Sequence, residues 1–188
     1  VTVQLPFIPR SATLTPHLVR VGGDLTSTLG GPTQRITRIG TRYSADVSLP
    51  PLDADCAAQW LACMLEAEAS GDTLSLPMPQ MIPEAKTLPP LYASGSAGSN
   101  LMTFAGGVRP PVGAWLSILV GGRNYLHFVT ALVGATQASV GPLLRATFPD
   151  GTAIQCDTPL LEGFVADTSW SVEFFRFVGH TFTITESA

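Results

Sequence analysis

Between Ile39 and Leu49 apolar and polar residues alternate without a slip. Ile39, Thr41, Tyr43, Ala45, Val47 and Leu49 fall on one side, and Gly40, Arg42, Ser44, Asp46 and Ser48 on the other. A period of two sends successive side chains to opposite faces, so this stretch predicts a half-buried strand. Shorter strands precede it. Val3, Leu5 and Phe7 alternate with their neighbours, with Pro6 and Pro9 breaking the run. Residues 13–21 (TLTPHLVRV) and 24–29 (DLTSTL) read as two more strands, closed by a turn at Gly30-Gly31-Pro32.

Pro50-Pro51 end the long strand, and the apolar period then changes. Asp53 is placed to cap a helix over 53–69, along which Ala57, Trp60, Leu61, Met64 and Leu65 recur at helical spacing. Gly71 stands where a helix stops. Glu66 and Glu68 near the C-terminal end oppose the macrodipole, so the helix must draw its stability from packing its apolar stripe on a sheet. It is the one helix that the pattern predicts.

Residues 77–90 (PMPQMIPEAKTLPP) are proline-rich and 93–107 are rich in Gly, Ser and Ala, which marks a boundary or a long crossing loop. Beyond it, 114–120 (AWLSILV) and 123–130 (RNYLHFVT) flank Gly121-Gly122. That pair supplies the positive φ of a tight hairpin turn. A second hairpin is expected at Phe148-Pro149-Asp150-Gly151. The run 169–185 alternates through Trp170, Val172 and Phe174, changes phase to Phe175 and Phe177 as at a bulge, and resumes at Phe182 and Ile184. The chain reads as mainly β with one helix and no internal repeat.

Composition narrows the function. Only 13% of the 188 residues are charged, about half the share in an average soluble chain, while 45% are hydrophobic. Such a chain must cover surface in a core or against partners. Ten Lys and Arg against fourteen Asp and Glu, net −4, argue against a general nucleic-acid or membrane-surface binder. The opening VTVQLPFIPR has no basic and apolar leader pattern, so no signal peptide is expected, and no apolar run is long enough to span a bilayer. Cys56, Cys63 and Cys156 are too few for a disulfide framework; Cys56 and Cys63 fall on one helix face and read as small buried hydrophobes in a reduced, cytosolic setting.

Catalytic and cofactor signals are missing. His17, His127 and His180 each stand alone in strand patterns and read as structural. ASGSAG (93–98) has the wrong spacing for a nucleophile elbow, and the glycine-rich stretches lack the ending of a phosphate loop. We therefore expect neither an enzyme nor a cofactor or metal site. Arg35, Arg38 and Arg42 form the one local basic cluster. Arg38 and Arg42 are expected on one strand face with Asp46, either pairing with it or offering guanidinium groups to an acidic partner surface. Trp60, Trp115 and Trp170 read as core.

The stretch GGPTQRITRIGTRYSADVSLPPLDADCAAQWLACMLEAEASGDTLSLPMPQ (30–80) resembles the N-terminal part of distal tail proteins, the tail-tip ring proteins of long flexible-tailed phages. In that family a strand of the form R-x-G-x-R-Y-x-x-x-V-x-L-P-P leads into a short helix containing Trp. GAWLSI (113–118), GPLLRATFPDGTAIQCDTPLLEGFV (141–165) and SWSVEFFRFVGHTFTITE (169–186) are similar to the closing half of such proteins, which are related to gene transfer agent baseplate proteins. The resemblance implies a tail-tube-like β-barrel or sandwich with a flanking helix, built from 1–84 plus 166–188, with 85–165 inserted as a second, small β domain. It also implies a six-membered ring in the virion, joining tail tube protein to hub protein. DNA would pass through the lumen without specific binding, and no membrane would be involved. Arg35, Arg38 and Arg42 are then expected at an interface. A second expectation, from a different class, is a carbohydrate- or receptor-binding module in 85–165, motivated by Tyr92, Phe104, Trp115 and Tyr125.

Overall fold

The structure, a computed structural model, describes residues 2–28, 30–173 and 176–187. It is mainly β with one main helix. The first part of the chain forms β1 (Thr2–Gln4), β2 (Thr13–Val19), β3 (Gly22–Leu25), β4 (Gln34–Thr37) and β5 (Arg42–Leu49). Helix α1 (Ala54–Ser70), β6 (Thr73–Pro77) and a single-turn α2 (Pro83–Lys86) follow. The middle holds β7 (Leu91–Gly95), β8 (Leu101–Phe104), β9 (Trp115–Val120), β10 (Arg123–Val133), β11 (Gln137–Gly141) and β12 (Phe148–Gln155). The chain closes with β13 (Leu160–Glu173) and β14 (Arg176–Glu186). These elements divide between two compact units, Val1–His17 with Tyr43–Pro77 and Leu161–Ser187, and Leu18–Arg42 with Met78–Leu160.

The first unit is built on a six-stranded sheet in the order β1-β6-β13-β14-β5-β2. Helix α1 begins where Asp53 accepts a bond from the Cys56 amide at 2.8 Å and ends at Gly71, whose φ of 65° a residue with a Cβ rarely adopts. Its buried face is Ala57, Trp60, Cys63, Met64 and Ala67. Leu65, expected in the stripe, is 51% exposed, because it lies a full turn-quadrant away from Trp60 and Met64. The Trp60 ring lies 6.1 Å from that of Phe182 on β14, and its indole N–H donates to the Phe7 carbonyl at 3.2 Å. Ala45, Val47 and Leu49 of β5 are buried while Asp46 and Ser48 are exposed, as alternation requires. Ile39 is outside that strand: it lies in a turn closed by the Thr41 amide on the Arg38 carbonyl, and is 46% exposed.

The run 169–185 is two strands, not one. Glu173 of β13 pairs with Arg176 of β14, so the chain reverses there; Phe174 and Phe175 lie outside the described residues. A bulge is present nearby, where pairing passes from Ser171↔Gly179 to Val172↔Phe177. At the other end of this ladder Gly163 faces Glu186, and a Cβ on Gly163 would stand 2.1 Å from the Thr185 carbonyl oxygen.

The second unit contains a closed six-stranded barrel, β10-β11-β8-β7-β12-β9. Leu91, Ala93, Met102, Phe104, Leu116 and Ile118 are among the buried residues that fill it. Arg123 pairs with Val120 across Gly121 and Gly122, both at positive φ, which is the tight hairpin that the Gly pair predicts. Phe148–Gly151 is not a hairpin. It is the start of β12, where the register against β7 shifts between Phe148 and Thr152, so the turn-like residues form a bulged strand. Buried Gln80 ties the barrel wall together, its amide N–H2 donating to the Trp115 carbonyl at 2.9 Å and to the Cys156 carbonyl at 2.8 Å.

Candidate functional site

The three arginines lie in or beside an exposed arm of the second unit. Among the described residues β3 and β4 form a two-stranded sheet of their own, in the register Gly22↔Thr37, Gly23↔Ile36, Asp24↔Arg35 and Leu25↔Gln34. The predicted strand 24–29 is shorter and earlier than expected: β3 ends at Leu25, the connection to β4 includes Gly30-Gly31-Pro32, and Leu29 lies outside the described residues. Alternation along the ribbon sorts its side chains. Leu25 and Ile36 fall on one face, and Asp24 and Arg35 on the other.

Arg35 grips Asp24 with two bonds, Nε to Oδ1 at 3.0 Å and Nη2 to Oδ2 at 3.4 Å. That contact lowers the Asp24 pKa and raises that of Arg35, by the hydrogen bond first and the charge second. Arg38 follows β4 and is exposed; its amide donates to the Val21 carbonyl at 3.1 Å. Arg42 opens β5 and is half-buried, and its Nε has no hydrogen-bond partner among the described residues. Arg38 and Arg42 therefore do not share one strand face, because a turn separates them. Asp46 instead accepts from Thr183 Oγ1 at 2.7 Å and stands 3.7 Å from His17 Nδ1. Arg20 joins the arm's basic set: with Arg35, Thr41 and Ile36 it lines a hollow of about 550 Å³ at the arm's base. No motif flags Arg20, since only the ribbon's pairing brings it beside Arg35.

The aromatic residues of the middle segment are dispersed. Phe104 is a barrel-core residue, Trp115 packs edge-on against Phe128 at 4.8 Å, and Tyr125 lies under the Arg145 guanidinium at 4.9 Å. Tyr92 is 46% exposed on β7. His127 is buried, with Nδ1 3.2 Å from the Pro142 carbonyl oxygen. Burial, and then the positive charge of Arg145, hold its pKa down at about 3. His180 is also buried, which lowers its pKa. Cys63 and Cys156 are buried and Cys56 is half-exposed. Burial raises the Cys63 thiol pKa and pushes that of Cys156 up to about 11. Among the described residues no three of His, Cys, Asp and Glu gather as a metal site, and no helix is long and apolar enough to cross a membrane.

The chain matches no protein-family model, and no similar curated protein is found.

Proposed function

We propose that this chain is a structural subunit of a phage tail tip, forming a six-membered ring that connects the tail tube to the baseplate hub around a DNA conduit. The observation that carries this reading is the β3–β4 arm, a two-stranded ribbon whose apolar residues lie in solvent. Leu25 is 57% exposed and Ile36 39%. A ribbon of two short strands is marginal in water without a further strand or a packed face. An assembly that covers it supplies what the isolated chain lacks.

Three further features support the reading. The mainly β architecture with one main helix agrees with the fold that the resemblance implies. A low charge content suits a subunit that buries additional surface against its neighbours. A net charge of −4 suits a wall past which DNA slides, since phosphate contacts come from cations. In this reading Arg35, Arg38 and Arg42 act at the interface and the protein performs no chemistry.

Electron microscopy of the purified chain tests it. Rings with six-fold symmetry and an open centre are expected. Particles without rotational symmetry, at concentrations where the chain is associated, contradict it.

A further inference from the structure

Charge is divided unevenly along this chain, and the division follows the units. The segment Leu18–Arg42 contains Arg20, Arg35, Arg38 and Arg42 against Asp24 alone, a formal +3. The helix-bearing unit, Val1–His17 with Tyr43–Pro77 and Leu161–Ser187, has only Arg10 and Arg176 against ten acidic residues, a formal −8. Helix α1 has no basic residue, and Asp55, Glu66 and Glu68 on it are exposed. Glu66 and Glu68 sit near the helix C-terminus, where the macrodipole disfavours negative charge. A cation brought to that end offsets the disfavour.

The arm has the opposite character. Arg20 and Arg38 are exposed and make no ion pair among the described residues, whereas Arg35 is already engaged by Asp24. Beside these charges lie exposed Val21, Leu25 and Ile36. On α1, Leu65 is 51% exposed, and Asp55 in the first turn and Glu66 near the last turn are exposed as well.

Resting on the ring reading above, we propose that the Leu18–Arg42 arm docks on the acidic, helix-bearing unit of a second copy of this chain, head to tail. The charges select this pairing over its rivals. Two arms facing each other place +3 against +3, and two helix-bearing units place −8 against −8; juxtaposed like charges oppose both symmetric dimers. Of these three pairings, arm against helix-bearing unit is the attractive one. Because it joins two different surfaces it is a heterologous contact, which repeats from copy to copy and either closes as a ring or runs on as a filament. Opposed charges at the rim also speed encounter and make association sensitive to salt.

Charge exchange between two variants tests the pairing. In one, Arg20→Glu with Arg38→Glu reverses the free charges of the arm and leaves the Asp24–Arg35 pair intact. In the other, Asp55→Arg with Glu66→Arg reverses the helix face. Circular dichroism confirms that each is folded, and light scattering reads mass. Each variant alone is expected to be monomeric where the natural chain is associated, and an equimolar mixture to regain the natural chain's mass. Raised salt lowers the mass of both the natural chain and the mixture. If the arm variant assembles as the natural chain does, or if mixing the two monomeric variants restores nothing, the pairing is wrong, and the ring reading stands with another interface. If the variants behave as expected but the natural chain forms open filaments, the pairing stands and the six-membered ring falls. A natural chain that is monomeric at every concentration overturns the pairing.

Discussion

Asp24 and Arg35 face each other across the β3–β4 ribbon and share two hydrogen bonds, 3.0 and 3.4 Å long, in full view of solvent. Exposed ion pairs add little to stability because water and salt screen them. The pair acts instead on shape, holding two strands in register in a ribbon that has no packed face of its own.

Arg35→Ala should therefore leave the thermal midpoint of the chain unchanged and reduce its self-association at low ionic strength. Differential scanning calorimetry and light scattering on the same sample separate the two effects. A fall in midpoint with no change in association contradicts this division of roles.

His127 gives the barrel a defined pH dependence. Its pKa is about 3 in the folded chain against 6.5 for the ordinary side chain, so between those values the unfolded chain binds a proton that the folded one does not. Stability is then fully present above pH 6.5 and falls as pH drops toward 3, by at most ~1.4 kcal/mol per pH unit for one group. The protection factors of the β10 amides, corrected for the intrinsic pH dependence of exchange, should fall over that window. His127→Gln should flatten the dependence, while the lowered pKa of His180 contributes in the same direction outside the barrel.

Gly163→Ala tests the β13–β14 ladder. The new Cβ meets a backbone oxygen at 2.1 Å, and backbone cannot swing aside as a side chain does. Destabilisation of about 3 kcal/mol or more is expected, at the upper end for overpacking. A urea midpoint equal to that of the natural chain contradicts the pairing of Gly163 with Glu186.

Trp60→Ala removes the largest residue of the α1 face, its ring contact with Phe182 and its bond to the Phe7 carbonyl. A loss of about 3–5 kcal/mol is expected for emptying such a site. Trp60→Phe restores most of the volume without the bond and should lose less. Urea denaturation of both variants ranks them, and equal losses show that the hydrogen bond, not volume, dominates.

Local signals were readable where one residue type has one physical use. Asp53 caps α1 and Gly71 ends it because a short carboxylate and a residue without Cβ suit those two positions. Gly121-Gly122 makes its hairpin for the same reason. Signals with two uses misled. Pro149-Asp150-Gly151 suits a turn, yet also a bulge inside β12, and only pairing with β7 decides. Alternation runs unbroken through Ile39, although Arg38–Thr41 turns before β5 begins. That turn is also why Arg38 and Arg42 part company. The pairing of Asp24 with Arg35 depends on ribbon register, which residue spacing alone does not encode.

The mass of the purified chain, followed by light scattering over a range of concentrations, tests the central claim most directly. The account predicts a species about six times the 19.8 kDa monomer, as a closed six-membered ring requires. A chain that stays at 19.8 kDa at every concentration and ionic strength contradicts it.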